Sequence, residues 1–468
     1  MSKISSALNE LLKLGEVNLP SGGKIDIEGH DPVYPTPFKL GKAAATALAA
    51  QGVAISAIWQ QRSGRAQTIK VDKAAAAISL KSVAHLRQQG CPVSYPDPAY
   101  PLTDFFRCKD GRFIFLHAGY PKLRDGLLKL LNCPNDKDAI TQKVAGWDSA
   151  TLEDAVAEAK LCGGIARTHD EWLAHPQGKL LADMPVVEIK KIGDSAPFPF
   201  APAARPLSDI KILDLTHVLA GPTCGRTLAE QGATVLRIWS PQQPLIPSFI
   251  MDTGHGKLST LLDLTKKWDA DCLRGLIGEA DIFAESYRPG AITKLGFSPE
   301  NIAAIRPGII YLSLSCYGED GPWGTRAGWE QLAQSVTGMG LAQGNSDVPV
   351  LSPVYPNDYI SGYLAAYGIT AALLKRAKEG GSYHVKISLC RTAMWLQSLG
   401  KISAQNVPPI SSELLSRFRQ TRQTPYGTLR FLGPITEFSE TQAYWERPSV
   451  PLAFNSPVWP KICPPDDL

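Results

Sequence analysis

The chain has 468 residues, of which 44% are hydrophobic and 20% are charged, enough for one large or two medium globular domains with apolar cores. Its formal net charge is +4 at pH 7, from 48 Lys and Arg against 44 Asp and Glu. So small an excess does not indicate nucleic-acid or membrane binding through bulk charge. No uninterrupted apolar run reaches the length of about 18 residues that a membrane-spanning helix needs, so we expect no such helix.

Cysteine and histidine usage argues against metal chemistry. The nine cysteines form no CxxC pair, and the eight histidines form no HExxH motif, so we predict no metal site. The first 20 residues form an amphipathic helical pattern without a cleavable signal, and the last residues are not a peroxisomal address. We therefore expect a cytoplasmic protein that keeps its thiols reduced and has no nucleic-acid partner.

The N-terminal part indicates a small mixed domain. Asp110-Gly111 lies between two apolar stretches and is a typical hairpin turn signal. Apolar periodicity predicts helices at about Lys122–Leu131, Leu152–Lys160 and Thr168–Ala174. The proline-rich segment Ser195–Pro206 follows and has no regular period, which is typical of a linker.

Strand and helix patterns alternate from Leu207 onward. Strands are predicted in that order at Ile210–Leu215, Thr234–Trp239, Leu258–Leu264, Asp281–Ser286 and Ile309–Ser315. Helices are predicted at about Thr223–Glu230 and Lys266–Glu279, and a third one has Ser298 as N-cap, Pro299 at its first position and Pro307 as its stop. This alternation favours an α/β fold with a Rossmann-like, doubly wound parallel sheet, plus the smaller α+β domain.

The sequence contains an internal repeat. Leu48–Val71 matches Leu364–Ile387, each residue pairing with the one 316 positions later, and both copies join a small-residue helix to a Gly turn and a strand. The chain therefore resembles the rear part of one copy joined to the front part of another. The predicted domains are an N-terminal helix and arm (1–32), a degenerate repeat of 354–395 (33–80), the small α+β domain (81–200), the Rossmann-like domain (207–400) and a C-terminal extension (401–468).

Two carboxylates are candidates for chemistry. Asp358 lies in YPNDYISG at the mouth of the second repeated helix, and Glu330 lies in GWEQLAQ after a Gly/Pro loop. An acidic residue at a helix N-terminus is often only a cap, but the same place keeps a carboxylate ionised, as a nucleophile requires. The repeat has Lys42 at the position of Asp358, so the start of the helix does not itself require an acid.

Several other residues have two interpretations each. His217 follows the first strand and is either a general base or a hydrogen-bonded histidine at a strand end. Lys257, Arg288 and Lys294 are candidate phosphate contacts or ordinary solvated cations. The turn LAGPTCGR (219–226) presents backbone N–H groups at a helix N-terminus, which suits a pyrophosphate ligand, but it is also an ordinary connection between a strand and a helix.

Taken together, these segments resemble the class III CoA-transferase family, which includes formyl-CoA and carnitine CoA-transferases and has α-methylacyl-CoA racemase as a relative. The resemblance rests on KILDLTHVLAGPTCGRTLAEQGATVLRI, GKLSTLLDL, ADIFAESYRPGAITKLGFSPENIAAIRPGIIYLSLS and DYISGYLAAYGITAALLKRAKEGG. The N-terminal part resembles later parts of the family, so the order is permuted. The resemblance implies CoA or acyl-CoA and a carboxylic acid as substrates, without metal, and a homodimer.

Residue roles follow from the resemblance, position by position. Asp358 matches the family's nucleophile, which forms an acyl mixed anhydride and then an aspartyl-CoA thioester, and Glu330 matches an acid beside the thioester. The implied CoA contacts are Leu219, Ala220, Lys257, Leu262, Asp263, Leu264, Thr265, Ser286, Tyr287, Arg288, Lys294, Ala327, Gly328 and Trp329.

Three positions depart from the family pattern. Where the family often has an Arg that binds the nucleotide, this chain has Ser240. Arg237 or Lys257 is therefore expected to replace that Arg. The glycine-rich loop over the intermediate has no counterpart, and the racemase His falls at Trp329. The alternatives are therefore a CoA-thioester epimerase, which Trp329 disfavours, and a non-catalytic acyl-CoA-binding protein.

Overall fold

The structure is a computed structural model, and it describes residues 5–93, 101–344 and 347–460. Its first part, up to residue 193, alternates short strands with helices. These elements are α1 Ser6–Gly15, β1 Lys24–Glu28, α2 Leu40–Ser63, β2 Thr68–Asp72, α3 Lys73–Ser79, α4 Ser82–His85, β3 Arg87–Gln88, β4 Cys91–Pro92, β5 Asp104–Arg107, β6 Phe113–Leu116, α5 Pro121–Leu131, α6 Lys137–Val144, α7 Ser149–Glu158, β7 Gly163–Ile165, α8 His169–Ala174, α9 Pro176–Asp183 and β8 Glu188–Gly193.

The second part carries the large sheet and its helices. In chain order the elements are β9 Lys211–Leu215, α10 Ala220–Ala229, β10 Thr234–Trp239, α11 Pro247–Thr253, β11 Lys257–Leu261, α12 Lys267–Ile277, β12 Ile282–Glu285, a 3-10 turn Thr293–Leu295, α13 Pro299–Ile305, β13 Ile310–Ser315, α14 Glu330–Val336, α15 Met339–Gln343, α16 Pro356–Glu379, β14 Ser382–Ser388 and α17 Leu389–Ser398. The C-terminal elements are α18 Ser412–Phe418, β15 Arg419–Thr424, β16 Gly427–Leu432 and β17 Thr436–Phe438.

Seven strands form the central sheet, in the order β11-β10-β9-β12-β13-β14-β8. The first six are parallel, and the reversal of order beside β9 makes the sheet doubly wound, which confirms the predicted fold class. The last strand differs from the prediction. β8 was assigned to the small domain, but it pairs antiparallel with β14 and so belongs to the large sheet. Its pattern EIKKIG has no clear alternation, so only the pairing reveals it.

The small domain is built on the antiparallel sheet β5-β6-β7, which helices α5 to α7 accompany. The predicted hairpin is confirmed, because β5 and β6 pair on either side of Asp110-Gly111, with Gly111 at a φ of +82°. The three predicted helices are present as α5, α7 and α8, whereas the sequence analysis missed α6 and α9. Strand β6 ends at Leu116, so the residues that follow it leave the sheet toward the large domain.

The two copies of the repeat adopt the same local structure. Helices α2 and α16 each have 24 residues, begin 316 positions apart and pack against each other. A Cβ on Gly52 would lie 2.8 Å from Cγ2 of Ile69, and a Cβ on Gly368 would lie 2.6 Å from Cγ1 of Val385. Both glycines therefore let the helix approach the strand that follows it, at equivalent positions of the two copies.

Pairing of the strands extends this correspondence beyond the repeated sequence. β2 lies between parallel β1 and antiparallel β17, just as β14 lies between parallel β13 and antiparallel β8. β8 comes from the N-terminal half of the chain and pairs with the strand of the second copy, while β17 comes from the C-terminal extension and pairs with the strand of the first copy. The chain thus crosses between its two halves twice, and the crossing strands hold the halves together.

The linker predicted at 195–206 contains no helix or strand, but it is anchored to the domain. The guanidinium of Arg62 donates to the backbone oxygens of Ala201 and Pro206 at 2.5 and 2.7 Å. The ring of Phe198 lies 5.2 Å from the guanidinium carbon of Arg376. These contacts fix the path of the linker along the large domain.

Helix α2 is the one helix of the described residues that is long and apolar enough to cross a membrane by length and composition alone. Its most apolar stretch is 89% buried inside the protein. In this structure the partner of its apolar surface is protein, mainly α16 and α3.

Replacing Gly368 with alanine is expected to lower the free energy of unfolding by about 1–3 kcal/mol, because the new methyl overlaps Val385 and Val187. Gly275 is the matched control, since it lies in α12 and a Cβ there would meet no atom within 4 Å. Gly275→Ala should stabilise the protein by about 0.5–1 kcal/mol. Urea unfolding of both variants measures the two changes, and equal stability of G368A and the parent would contradict the close approach.

Candidate active site

Asp358 lies in the first turn of the long helix α16. Pro356 opens the helix, where the missing N–H costs nothing, and Asp358 is its third residue. The unpaired backbone N–H groups and the aligned peptide dipoles at this end favour a negative charge. The side chain is 7% exposed. Local sequence therefore gives Asp358 a place that supports an anion at the border of the protein interior.

Glu330 begins the short helix α14 and binds the start of α16. Its Oε2 accepts the backbone N–H of Asp358 at 2.5 Å, and its Oε1 accepts the side-chain amide of Asn357 at 3.0 Å. The amide of Gln334, one turn further along α14, donates to the same Oε1 at 2.7 Å. The sequence analysis expected Glu330 beside the thioester. In the structure it also positions Asp358, by capping the helix that carries it.

The two carboxyl groups share a site from which water is largely excluded. Burial raises the pKa of Glu330 to about 7, although the hydrogen bonds from Gln334, Asp358 and Asn357 act in the opposite direction. Burial also raises the pKa of Asp358 well above its usual value, and the negative charge of Glu330 adds to the effect. The pair therefore holds a proton at higher pH than isolated carboxyls do.

No group among residues 5–93, 101–344 and 347–460 donates a hydrogen bond to the Asp358 carboxylate. Both Glu330 oxygens, by contrast, accept hydrogen bonds, from the side-chain amides of Gln334 and Asn357 and from the backbone N–H of Asp358. Of the two acids, Asp358 is the one whose oxygens are available to a reacting molecule, as a nucleophile requires.

These oxygens face a cavity of about 170 Å³ that lies between the two domains. The small domain contributes Thr103, His117, Gly119 and Tyr120. The large domain contributes Val218, Leu219, Ile246, Phe249, Trp329, Glu330, Gln331, Tyr355 and Asp358. In this structure a single chain supplies both walls.

His117 is a site residue that the sequence analysis missed. It follows strand β6, its ring stacks on Trp329 with centroids 5.3 Å apart, and its Nδ1 accepts the backbone N–H of Gly119 at 3.3 Å. Burial lowers its pKa to about 4, so the imidazole is neutral near pH 7 and carries its proton on Nε2. The available signal was a histidine directly after the apolar run FIFL, at a strand end.

The sequence model of CoA-transferase family III matches residues 14–201 and 207–428, most of the chain. The chain belongs to this family. Both matched segments carry site residues, the first His117 and Tyr120 and the second Glu330 and Asp358.

Curated relatives cover this chain in part. An acetyl-coenzyme A transferase of Hypoxylon pulicicidum is 31% identical over 322 residues, which are 63% of this chain and 54% of that protein. An acetyl-CoA:oxalate CoA-transferase of Acetobacter aceti is 30% identical over 200 residues, 39% of this chain and 51% of that protein. The chain thus spans about half the length of the curated relatives it matches. A solved Mycobacterium tuberculosis protein is 30% identical over 42% of this chain and 59% of its own, with a TM-score of 0.40.

Several expected CoA contacts of this family member lie at the carboxyl ends of neighbouring strands. Leu219 and Ala220 join β9 to α10, and the Ser286 hydroxyl after β12 accepts the backbone N–H of His217 at 2.9 Å. The His217 ring lies edge-on to Tyr287, with centroids 4.7 Å apart. This arrangement joins the loops after β9 and β12 in one place. Since burial lowers the pKa of His217 to about 4, it is a structural ring here rather than a base.

The other expected contacts lie at the same edge of the sheet or lead to the cavity. Leu262 and Asp263 are buried, Leu264 is half-buried and Thr265 is exposed, all in the loop after β11. Hydrogen bonds from Thr265 and Gln242 lower the pKa of Asp263 to about 2. Arg288 and Lys294 are exposed, and Ala327 and Gly328 lie half-buried in the segment that leads to Trp329. A role of these residues in binding CoA stays a prediction.

Lys257 does not fit its expected role. Its ammonium is fully buried and forms an ion pair with Asp214 at 2.7 Å, and it also donates to the backbone oxygen of Pro222. Arg237, the other expected substitute, is buried and donates to the backbone oxygens of Ile250 and Val450. Both cations thus stabilise the interior of the sheet domain, and neither is placed to bind a phosphate at the surface. Sequence could not show this, because the burial arises from packing of distant segments.

The described residues contain no group of three or more His, Cys, Asp or Glu side chains arranged to hold a metal ion.

Proposed function

We propose that this protein transfers coenzyme A between an acyl-CoA and a carboxylic acid, with Asp358 as the nucleophile. The observation that carries the proposal is the position of the Asp358 carboxylate at a helix N-terminus, in a cavity between two domains, where no donor among the described residues binds it. Membership of CoA-transferase family III supports it. The chain spans about half the length of its relatives, so the activity of the whole protein belongs to the proposal.

The Asp358 carboxylate takes part in each step of the proposed reaction. An Asp358 oxygen attacks the thioester carbonyl, the carbon–sulfur bond breaks, and a mixed anhydride forms while CoA leaves as a thiolate. The thiolate then attacks the Asp358 carbonyl and releases the first acid, which leaves an aspartyl-CoA thioester. The acceptor carboxylate attacks that thioester and expels the CoA thiolate, which gives a second mixed anhydride. The thiolate then attacks the acceptor's carbonyl carbon in this anhydride, so that the new acyl-CoA forms and the Asp358 carboxylate leaves. Asp358 is a carboxylate again at the end.

The cavity provides what these intermediates need. An anhydride and an activated thioester both react with water, so the cavity must be closed to bulk solvent while they exist. His117, Gly119 and Tyr120 of the small domain form one wall of the cavity. The sequence analysis found no glycine-rich covering loop, and in this chain the short segment 117–120 occupies the wall of the cavity. Arg288 and Lys294 are the exposed cations expected to meet the phosphates.

A CoA-thioester epimerase is the second candidate. The position of the racemase histidine is occupied by Trp329, but His117 places an imidazole in the lining of the same cavity. A two-base epimerase needs a second basic group beside Asp358. In His117 the Nδ1 already accepts from Gly119, and the pKa near 4 makes the imidazole a weak base. Transfer is therefore the favoured reading, with His117 as a hydrogen-bond donor.

Asp358→Asn is expected to lower the rate of CoA transfer by about 10³-fold or more, because the amide cannot form the anhydride. CoA binding should change only a few-fold, since the variant keeps the size and the backbone contacts of the side chain. Steady-state kinetics and calorimetry with CoA measure the two effects. Transfer by D358N at the parent's rate would remove Asp358 as the nucleophile.

A control reaction in deuterated water separates the alternatives. Exchange of the α-hydrogen of a chiral 2-methylacyl-CoA without a second acid would favour the epimerase. Tight CoA binding by the parent protein with neither exchange nor transfer would favour the non-catalytic reading.

Glu330→Gln is expected to move the acidic limb of the pH–rate profile to lower pH by about one unit. Asp358 acts ionised, so the parent's rate falls as the pH drops through its raised pKa, and removal of the neighbouring charge lowers that pKa. The plateau rate should also fall, since Gln caps α16 less well. Glu230→Gln is the control, because Glu230 is buried with a pKa near 8 but lies outside the cavity. A limb that shifts equally in both variants would contradict the coupling.

Two further predictions from sequence, a cytoplasmic location and assembly as a homodimer, stay predictions. The cavity described above does not need a second copy, because one chain supplies both of its walls.

A further inference from the structure

The charges that line the cavity are all of one sign. Of the described residues that line it, Glu330 and Asp358 are acidic and none is Lys or Arg. The remaining lining is apolar or neutral, with the rings of Tyr120, Phe249 and Trp329 and the aliphatic side chain of Ile246. A molecule that enters therefore meets two carboxyls and no cation.

Three buried cations of the protein are already engaged in ion pairs. Arg226 pairs with Asp252 at 2.7 Å, Arg167 pairs with Glu153 at 2.6 Å, and Lys257 pairs with Asp214. The exposed Arg288 donates to the backbone oxygen of Lys160 at the protein surface. Breaking a buried pair leaves the partner charge unsatisfied, which costs about 3–5 kcal/mol. The three paired cations are therefore not free to turn toward the cavity.

From these contacts we infer that the site accepts short, uncharged acyl groups, such as those of small monocarboxylic acids, and rejects dicarboxylic acids. This inference rests on the proposed function. The far carboxylate of a dicarboxylic acid would lose its hydration without gaining a cation, and it would lie near two acidic groups. A buried, unpaired charge of this kind is strongly disfavoured.

Size and hydrogen bonding agree with the inference. The cavity volume of about 170 Å³ corresponds to about six water molecules at about 30 Å³ each, which leaves room for an acyl group of a few heavy atoms. His117 suits a neutral ligand, because its Nε2–H is a donor without positive charge and has no partner among the described residues. It can hold the carbonyl oxygen of the acyl group while Trp329 supports the imidazole ring.

Butyrate and succinate test the inference directly, since they have the same number of carbons and differ in the second carboxylate. With acetyl-CoA as donor, kcat/KM for butyrate is expected to exceed that for succinate by about 10²-fold. Succinate used within about threefold of butyrate would overturn the inference.

A variant pair locates the cause. Ile246→Lys puts an ammonium at the half-buried wall and should shift the ratio toward succinate by about tenfold. Ile246→Met has similar length without charge and should keep the preference for butyrate. An unchanged ratio in I246K would overturn the assignment of selectivity to this wall.

A binding measurement separates this inference from the proposed function. Two unreactive CoA thioethers, S-butyl-CoA and S-(3-carboxypropyl)-CoA, are titrated into the parent protein by calorimetry. We expect the carboxylated analogue to bind at least about tenfold more weakly. That result without any transfer activity would leave the inference standing and reject the transferase, whereas equal binding would reject the inference alone.

Discussion

The Glu330 carboxylate closes the N-terminus of helix α16 by accepting the backbone N–H of Asp358 at 2.5 Å, and the rest of the site depends on this contact. A buried helix end needs an acceptor for its free N–H groups, and here the acceptor is an acid. The same contact brings two carboxyls together in a place of low polarity, where burial raises the pKa of both and the negative charge of Glu330 raises that of Asp358 further. One pair of side chains therefore both caps the start of helix α16 and sets the pKa of the acid in the cavity.

The first copy of the repeat shows how the two roles separate. Asp31 accepts the backbone N–H groups of Gly41 and Lys42 at 2.7 and 2.8 Å, so helix α2 also begins on a carboxylate. Its third residue, however, is Lys42 where α16 has Asp358. A carboxylate caps each helix, Asp31 for α2 and Glu330 for α16, whereas only α16 carries a second acid at its third position. This supports the interpretation that Asp358 is not needed to stabilise the start of its helix.

Much of the fold could be predicted because its signals are local. Short apolar runs give the parallel strands, and Ser298 with Pro299 marks a helix start that the structure reproduces. Asp358 was found from its position at the mouth of a small-residue helix and from the family resemblance. His117 and Tyr120 were missed because they reach the cavity only when the small domain closes on the large one. Lys257 was misjudged for the same reason, since its pairing with Asp214 depends on packing within the sheet domain.

Mass spectrometry of the intact chain during turnover tests the central claim most directly. The protein is mixed with acetyl-CoA, quenched within one turnover and digested, and the peptide that contains Asp358 is weighed. The account predicts an acetyl or CoA adduct on that peptide, localised to Asp358 by fragmentation and absent from D358N. Full transfer activity with an unmodified Asp358, or with the adduct on another residue, would contradict it.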